Sequence, residues 1–217
     1  MNVEQARFNM VEQQIRPWEV LDQDVLDLLY VVRREEFVPT EFRELAFSDT
    51  EIPLGDGERM WAPRVEARVL QALVTKKSEK ALEVGTGSGY FAALLAHCVH
   101  HVTSVEINPR LKAFAEQNLQ RQGIDNATLE LGDAAQGWKA QAPYDLIVIT
   151  GSVPVLPQQF IDQLKAGGRV FAIIGDPPVM AARIVTATAD GAGRATNLFE
   201  TCFPPLRNAA QPKRFSF

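Results

Sequence analysis

Three glycines alternate with small hydroxyl residues in the segment Glu83-Val84-Gly85-Thr86-Gly87-Ser88-Gly89. Glycine adopts positive φ values and lets a ligand approach the backbone closely. The segment follows a short apolar run and precedes an apolar, helix-like stretch. In a doubly wound sheet such a turn lies at the carboxyl end of the first strand, where ligands bind. We therefore predict a binding turn in which Gly85, Thr86, Gly87 and Ser88 contact a ligand.

Two classes of ligand are compatible with a glycine-rich turn of this kind. Dinucleotide enzymes carry G-x-G-x-x-G and place a pyrophosphate at the helix N-terminus, whereas this chain has G-x-G-x-G followed by Tyr90. Glu83 would repel a pyrophosphate, but it can hold the amino group of a cationic ligand. S-adenosylmethionine is such a ligand, because it carries a sulfonium and an ammonium and no phosphate. The residues favour this cofactor, and a NAD-dependent oxidoreductase stays as an alternative.

Acidic residues follow the next two apolar runs. Glu106 stands 21 residues after Gly85, a spacing at which a carboxylate can hydrogen-bond both ribose hydroxyls. Asp133 follows Gly132, and we expect the carboxylate to accept from an adenine amino group while the glycine leaves room for the ring. The predicted nucleoside site therefore contains Glu106, its neighbour Ile107, Gly132 and Asp133.

Short apolar runs alternate with amphipathic stretches from residue 80 onward. This alternation predicts an α/β fold with a doubly wound, mostly parallel, Rossmann-like sheet that has helices on both faces. The tail alternates as an antiparallel strand pair would. The predicted strands are 81–84, 102–105, 127–131, 145–150, 168–174, 183–189 and 196–202, and the helices are 90–98, 109–122 and 158–164.

The first part of the chain has a different pattern. We interpret residues 1–77 as an N-terminal helical cap of the same domain, with residues 78–217 as the α/β core. Residues 51–57 are rich in glycine and proline and predict a loop. Two helical stripes are expected, one at Leu21, Val25, Leu28 and Leu29, and one at Val65, Val69, Leu70 and Leu73 in a helix opened by Pro63.

Composition narrows the class of protein. Of 217 residues, 46% are hydrophobic, so the chain can bury enough surface to fold. A net charge of −5 argues against binding to nucleic acid or anionic membranes. Two cysteines are too few for a secreted disulfide framework, and no apolar run is long enough to span a bilayer. We expect a cytoplasmic protein.

The segment Ala81 to Tyr90 resembles the first motif of class I S-adenosylmethionine-dependent methyltransferases. The chain is most similar to the protein-L-isoaspartate O-methyltransferase family, over roughly residues 10–175. The resemblance implies the class I methyltransferase fold and S-adenosylmethionine as the cofactor. It implies cofactor contacts at Glu83, Gly85, Gly87, Glu106 and Asp133. Supporting segments are Arg34-Glu35-Glu36-Phe37-Val38-Pro39, Ile52-Pro53-Leu54-Gly55-Asp56-Gly57, Ser104-Val105-Glu106, Gly132-Asp133, Gly137-Trp138, Ala142-Pro143-Tyr144-Asp145 and Gln163-Leu164-Lys165-Ala166-Gly167-Gly168-Arg169.

The resemblance also implies an acceptor loop over residues 57–63, whose family pattern is approximately G-Q-T-I-S-Q-P. Here the loop reads G-E-R-M-W-A-P, so Arg59 replaces the threonine and Trp61 replaces the serine. We predict a competent cofactor site beside a remodelled acceptor site. Arg59 could attract an anionic acceptor. Trp61 could pack the cap on the core, line the acceptor pocket, or lie over the sulfonium. Thr150 and Ser152, at the end of a strand, are expected near the point of methyl transfer.

Methyl transfer to a carboxylate needs no general base, because a carboxylate is ionised at neutral pH. We therefore expect an oxygen acceptor on a protein, a peptide or a small molecule, and a catalytically silent cofactor-binding paralogue is the alternative. His97, His100 and His101 are interpreted as surface or packing residues, and no metal site is expected. A monomer or a weak homodimer is expected.

Overall fold

A seven-stranded sheet is the central element of the structure, a computed structural model that describes residues 2–189 and 191–212. Its strand order is β5-β4-β3-β6-β7-β8-β9, and a separate pair, β1 and β2, precedes it in the chain. The strands are β1 (Ile52–Gly55), β2 (Glu58–Met60), β3 (Lys80–Val84), β4 (His101–Glu106), β5 (Ala127–Leu131), β6 (Tyr144–Val153), β7 (Leu164–Asp176), β8 (Val179–Ala187) and β9 (Gly193–Thr201).

Helices cover the sheet and form most of the first 77 residues. Residues 10–18 continue the first helix through wider and then tighter turns, and 3₁₀ turns occupy Arg34–Glu36 and Thr40–Phe47. The α-helices are α1 (Val3–Asn9), α2 (Gln23–Val31), α3 (Pro63–Leu73), α4 (Tyr90–Cys98), α5 (Pro109–Arg121) and α6 (Gln158–Asp162). In the described part of the chain none of them is long and apolar enough to cross a bilayer.

The strand pairing confirms the predicted doubly wound, mostly parallel fold. Strands β3 to β7 pair in parallel, and β8 and β9 add an antiparallel edge, as the tail pattern predicted. The chain builds outward from β3 to β5 and then returns to the other side of β3 with β6. This reversal opens a crevice at the carboxyl ends of β3 and β6, the usual ligand site of such sheets.

Side chains of successive strand residues enter two separate apolar cores. Ala81 of β3 and Val148 of β6 lie in the core shared with the N-terminal segment and helices α3 to α5. Leu82 and Ile149 point to the opposite face, where α6 packs. By the same alternation Glu83 lies on the face that carries the N-terminal segment.

Two expectations for the N-terminal segment were wrong. Leu21 is 69% exposed, because Asp22 caps α2 by accepting from the Asp24 amide and the helix begins only at Gln23. Residues 51–57 are largely a β-hairpin rather than a loop, with Ile52 paired to Met60. Its Asp-Gly turn places Asp56 and Gly57 at positive φ, as a type I′ hairpin turn requires.

Arg34 is a fully buried cation at the centre of the N-terminal segment, with 1% of its surface exposed. Its guanidinium donates to Glu66 Oε2 at 3.0 Å, to the Ala46 carbonyl at 2.8 Å and to the Trp61 carbonyl at 2.6 Å. Three separate chain segments are thereby joined at one side chain.

Replacing Arg34 by methionine should lower the free energy of unfolding by about 3–5 kcal/mol, because a buried carboxyl and two carbonyls lose their donor. Urea denaturation measures this loss. The matched control is Arg43→Met, which removes an ion pair to Glu36 from a side chain that is half exposed and should cost less than about 1 kcal/mol. Equal losses in the two variants would contradict a structural role for the Arg34 cluster.

Candidate functional site

The crevice at the carboxyl ends of the central strands has two adjoining chambers. They share Leu54, Arg59, Gly85, Gly87 and Thr150. We call one the tail-side chamber; its other lining residues are Glu58, Val84, Val105, Glu106, Ile107, Leu111, Gly132, Asp133, Ala134, Ala135, Gly151 and residues 203–207. We call the other the cap-side chamber; it is completed by Met60, Trp61, Glu66, Glu83, Thr86, Ser88, Tyr90 and Phe91.

The glycine-rich turn forms the floor where the chambers meet. Gly85 has φ +95°, and a Cβ there would lie 2.4 Å from Thr150 Oγ1. That hydroxyl donates to the Gly85 carbonyl at 2.7 Å, so Thr150 holds the turn against the end of β6. Gly87, at φ +56°, donates its amide to Glu106 Oε2 at 2.9 Å. A residue with a side chain would strain both positions.

Glu106 ends β4 as a buried carboxylate that joins two loops. Its Oε2 accepts from Gly87, and its Oε1 accepts from the Asn108 amide at 2.9 Å. Each carboxylate oxygen still has a lone pair for a further donor. The structure therefore places Glu106 and its neighbour Ile107 on the wall of the tail-side chamber.

Asp133, which follows the neighbouring strand β5, lines the same chamber and is held at both oxygens. Its Oδ1 accepts from the Ala135 amide at 2.9 Å, and its Oδ2 accepts from Asn208 Nδ2 at 2.8 Å. The neighbouring Gly132 lines the same chamber, and its expected role of leaving room for an adenine ring stays a prediction. A Cβ on it would lie 2.7 Å from the Trp138 ring, so the missing side chain makes room for that indole.

Glu83 is a fully buried carboxyl group that lines the cap-side chamber. Its Oε2 accepts from the Ser104 hydroxyl, which is 2.6 Å from Thr86 Oγ1, whereas its Oε1 has no hydrogen-bond partner among the described residues. The pKa of Glu83 is raised to about 8, chiefly by burial and in smaller part by the charge of Glu106, while the hydrogen bond from Ser104 opposes the rise. The arrangement suits a ligand that brings hydrogen-bond donors or a positive charge to this wall.

Trp61 is buried between the N-terminal segment and the sheet. The centroid of its indole lies 5.3 Å from that of Phe91, 5.7 Å from that of Phe171 and 6.1 Å from that of Phe203, each ring meeting it edge-on. The indole also lines the cap-side chamber, and its buried Nε1 has no partner in the part of the chain that the structure describes. The same indole ring therefore packs the N-terminal segment against the sheet and forms part of the wall of the cap-side chamber. That the ring lies over the sulfonium of a bound cofactor stays a prediction.

Arg59 lies between the two chambers, with 54% of its side chain exposed. It forms a long ion pair with Glu51, at 3.5 Å. Exposed pairs of this length contribute little energy, so the guanidinium is a rim charge.

Ser152 does not contact the crevice as expected. Its hydroxyl donates to the Phe203 carbonyl at 2.8 Å, and its amide donates to the Pro204 carbonyl at 2.9 Å. Its carbonyl accepts from the Leu206 amide at 2.8 Å. Ser152 therefore fixes the tail against the end of β6, where the tail becomes a wall of the tail-side chamber.

Sequence reasoning missed several residues that line the crevice. The tail at residues 203–207 carries no motif. Glu66, in contrast, had a signal: it stands on the α3 stripe with Val69, Leu70 and Leu73, and an acid on a buried stripe is unusual. Tyr90, identified only as the residue that breaks the dinucleotide pattern, lines the cap-side chamber, and its buried hydroxyl has no hydrogen-bond partner among the described residues.

The histidines lie far from this crevice along the strands. His97 is in the last turn of α4 and His101 begins β4, at the amino-terminal edge of the sheet. Within residues 2–189 and 191–212 there is no group of three residues that could hold a metal ion.

Comparison with known proteins places this geometry in a family. The family model for protein-L-isoaspartate(D-aspartate) O-methyltransferase matches residues 5–211, beyond the range of the resemblance found in the motifs. A protein-L-isoaspartate O-methyltransferase of Hyperthermus butylicus is 37% identical over 93% of this chain and 88% of its own. One from Syntrophobacter fumaroxidans is 40% identical over 81% of this chain and 82% of its own.

Solved structures show the same fold. A Plasmodium falciparum protein-L-isoaspartate O-methyltransferase, crystallised in complex with S-adenosyl-L-homocysteine, has a TM-score of 0.77 at 23% identity, covering 92% of this chain and 97% of that one. The match of the family model to nearly the whole chain, together with relatives at 37–40% identity, decides between the two cofactor classes that the motifs left open. The chain belongs to the protein-L-isoaspartate(D-aspartate) O-methyltransferase family of S-adenosylmethionine-dependent methyltransferases.

Proposed function

We propose that this chain binds S-adenosylmethionine across both chambers and transfers its methyl group to an oxygen of an acceptor that enters beside Trp61. The observation that carries the proposal is the Oε1 atom of Glu83, a buried acceptor with no partner in the described structure, on the wall of the cap-side chamber. An ammonium group would supply the hydrogen-bond donor that this oxygen lacks, together with a positive charge to compensate the carboxylate.

The remaining residues fit the other parts of the cofactor. In the tail-side chamber, Glu106 would accept from the ribose hydroxyls and Asp133 from the adenine amino group. Both carboxylates already hold backbone amides, which fixes their orientation. A pyrophosphate would instead meet two carboxylates, since the arginines of the rim, Arg59 and Arg207, are already paired with acids.

The cofactor supplies an activated methyl group, and the protein contributes position. Gly85, Gly87 and Thr150 lie where the chambers meet, so their backbone and hydroxyl define the floor of the reaction site. Holding two reactants in line can lower a barrier by up to about 7–11 kcal/mol, without any acid or base. A rigid floor tied to two strands is suited to that purpose.

Other features of the protein support proposals on its setting. We propose that it acts in the cytoplasm, since Cys98 and Cys202 are both free, and that it is a monomer or weak homodimer without nucleic-acid or membrane partners. We also propose that residues 1–77 and 78–217 act as one domain, because Trp61, whose carbonyl accepts from Arg34, packs in the same core as Phe171.

Calorimetric titration with S-adenosylhomocysteine and, separately, with NAD tests the ligand class. We expect binding of the homocysteine compound and none of NAD, because the described crevice presents the carboxylates of Glu83, Glu106 and Asp133, and its arginines, Arg59 and Arg207, already face acids. Binding of NAD alone would overturn the proposal. Transfer of labelled methyl from the cofactor to components of a cell extract then distinguishes an enzyme from a silent paralogue, which would bind the compound and label nothing.

Replacing Glu106 by alanine should weaken binding of S-adenosylhomocysteine by about 1.5–3 kcal/mol, or roughly 10–150-fold, because charged hydrogen bonds to the ribose are lost. Calorimetry measures the change. The control is Glu116→Ala, which removes an exposed carboxylate of α5 that pairs only with Lys112 and should leave the affinity unchanged. An unchanged affinity in the Glu106 variant would mean that the ribose lies elsewhere.

The affinity for S-adenosylhomocysteine should also rise with pH between about pH 6 and pH 8. The pKa of Glu83 in the free protein is raised to about 8 by burial, so the carboxyl is protonated below that value. An ammonium requires the ionised form, so binding must release a proton, and affinity falls by up to about tenfold for each pH unit below 8.

Calorimetry in buffers of different ionisation enthalpy measures the released proton directly. The variant Glu83→Gln should bind more weakly and with no dependence on pH in this range. A wild-type affinity that stays constant from pH 6 to pH 8 would contradict the contact between Glu83 and the ammonium.

A further inference from the structure

The indole N–H of Trp61 is a buried hydrogen-bond donor without a partner. The side chain is 5% exposed, it lines the cap-side chamber, and no described residue accepts from its Nε1. An indole nitrogen can only donate, so its burial costs free energy unless a ligand supplies an acceptor atom. The proposed binding of the cofactor makes no use of this donor.

Two contacts place the donor beside the junction of the two chambers. The Trp61 carbonyl accepts from the buried guanidinium of Arg34 at 2.6 Å, which fixes the backbone of the loop. The indole ring meets the ring of Phe203 edge-on, with 6.1 Å between the centroids, and Phe203 lines the tail-side chamber. The indole therefore lies close to the shared floor of the chambers, where methyl transfer is proposed.

The two arginines that line the crevice in the described structure are engaged to different degrees. Arg59 lines both chambers, and its contact with Glu51 involves one nitrogen at 3.5 Å. Arg207 donates to Glu58 at 2.6 Å and to the Asp56 carbonyl at 3.1 Å. A guanidinium has five N–H donors in a planar fork, so Arg59 keeps donors that suit a planar anion.

The acids of the crevice do not prevent an anion from reaching the junction. Glu66 is paired with Arg34 at 3.0 Å, and in the proposed function Glu83 faces the ammonium of the cofactor. Glu106 and Asp133 line the tail-side chamber and not the cap-side one. The charges that remain at the junction are the rim guanidinium and the sulfonium of the cofactor, and both are positive.

We infer that Trp61 and Arg59 together bind a carboxylate, the group of the acceptor that receives the methyl. The indole N–H of Trp61 donates to the carboxylate, and the guanidinium of Arg59 pairs with it in exchange for Glu51. The inference rests on the proposed function, because it names the acceptor group of the same transfer and the residues that hold it. One guanidinium compensates the single charge of a carboxylate, whereas a pyrophosphate carries two charges.

These contacts orient the nucleophile without moving a proton. A lone pair of a carboxylate oxygen forms the bond to the methyl carbon, and the bond from that carbon to sulfur breaks with its electrons left on sulfur. The products are a methyl ester and a thioether. A carboxylate is already ionised at neutral pH, so donors that hold it in line are sufficient. Trp61 and Arg59 are thus residues that bind and position the acceptor.

The deciding experiment measures binding of the acceptor rather than turnover. The protein is saturated with S-adenosylhomocysteine, and a short peptide with one isoaspartyl residue is titrated into it by calorimetry. The second probe is the same peptide with isoasparagine, in which an uncharged amide replaces the carboxylate. We expect the wild-type protein to bind the isoaspartyl peptide at least tenfold more tightly than the amide peptide.

The variant Trp61→Phe removes the indole N–H and keeps an aromatic ring. It should weaken binding of the isoaspartyl peptide by about 10–150-fold, the range for a hydrogen bond to a charged group, with a smaller effect on the amide peptide. The matched control is Trp18→Phe. Trp18 packs against Arg64 and Phe199 and lines neither chamber, so this variant should bind both peptides as the wild type does.

The variant Arg59→Gln removes the rim charge. It should weaken binding of the isoaspartyl peptide by about 3–10-fold at low salt and reduce the salt dependence of that binding, because an exposed charge is screened by ions. Arg43→Gln is the matched control. Arg43 has the same exposed fraction as Arg59, 54%, and pairs with Glu36 outside both chambers.

Both variants should bind S-adenosylhomocysteine within about twofold of the wild type, since the inference assigns neither residue to the cofactor. The inference is overturned when either variant keeps the wild-type affinity for the isoaspartyl peptide, or when the wild-type complex does not prefer this peptide to its amide. Weaker binding of S-adenosylhomocysteine in Trp61→Phe would also overturn it, because the indole would then hold the carboxylate of the cofactor. Failure of the wild-type protein to bind S-adenosylhomocysteine would instead count against the proposed function.

A spectrum of the wild-type protein keeps the test decisive even if Trp61→Phe does not fold. The chain has three tryptophans, so the variants Trp18→Phe and Trp138→Phe identify two of the indole N–H resonances and leave the third to Trp61. Its proton should move downfield when the isoaspartyl peptide saturates the complex with S-adenosylhomocysteine. A resonance that does not move would exclude the indole as a donor to the acceptor.

Discussion

The hydrogen bonds of the buried Arg34 guanidinium are the interactions on which the cap-side chamber depends. Removing an arginine from water costs several kcal/mol, which is offset only when its donors find well-placed acceptors. Here the acceptors are Glu66 and the carbonyls of Ala46 and Trp61, each from a different segment. The position of Trp61 at the chamber wall and that of Glu66 beside it are thus consequences of a single requirement, the solvation of one cation by the protein itself.

At the glycine-rich turn the buried ionisable groups are carboxyls rather than a cation, and they too need partners within the protein or from a ligand. Glu83 and Glu106 are buried carboxyls at the ends of neighbouring strands, and the charge of Glu106 makes ionisation of Glu83 less favourable. Glu106 is satisfied by two backbone amides, whereas one oxygen of Glu83 has no partner in the described structure. In the free protein the ionised form of Glu83 is therefore destabilised. A cationic ligand would stabilise it, so the site favours a ligand that carries a positive charge.

The sequence predicted those parts of the structure that repeat a simple pattern. Short apolar runs, and alternating residues in the tail, identified every strand of the sheet, and the glycines with Glu83 and Glu106 located the crevice, because these signals are local. The hairpin at residues 52–60 was missed although its Asp-Gly turn was readable. Predicting Glu66 as a site residue is harder. An acid on the apolar stripe of α3 needs a buried partner, and that partner, Arg34, is 32 residues away in the chain.

The tail illustrates what local reasoning cannot supply. Residues 203–207 line the tail-side chamber because Ser152 forms three hydrogen bonds to their backbone. Their side chains carry no pattern that would predict this pairing. Gly132 is similar, since a side chain there would collide with the ring of Trp138, six residues on. Both features depend on which segments meet in three dimensions.

The contacts of the tail differ in strength along its length, and the difference matters for access to the crevice. Ser152 is only 1% exposed, so breaking its bonds to the tail would leave its buried polar groups without partners. Farther along, Arg207 pairs with Glu58 and Asn208 with Asp133 at exposed positions, where water can replace either partner. The free-energy cost of separating the tail from the β1–β2 hairpin is therefore small compared with that of releasing it from β6. A ligand that enters between Asp133 and Glu58 displaces only the weak contacts, while the buried ones keep the chamber wall in place.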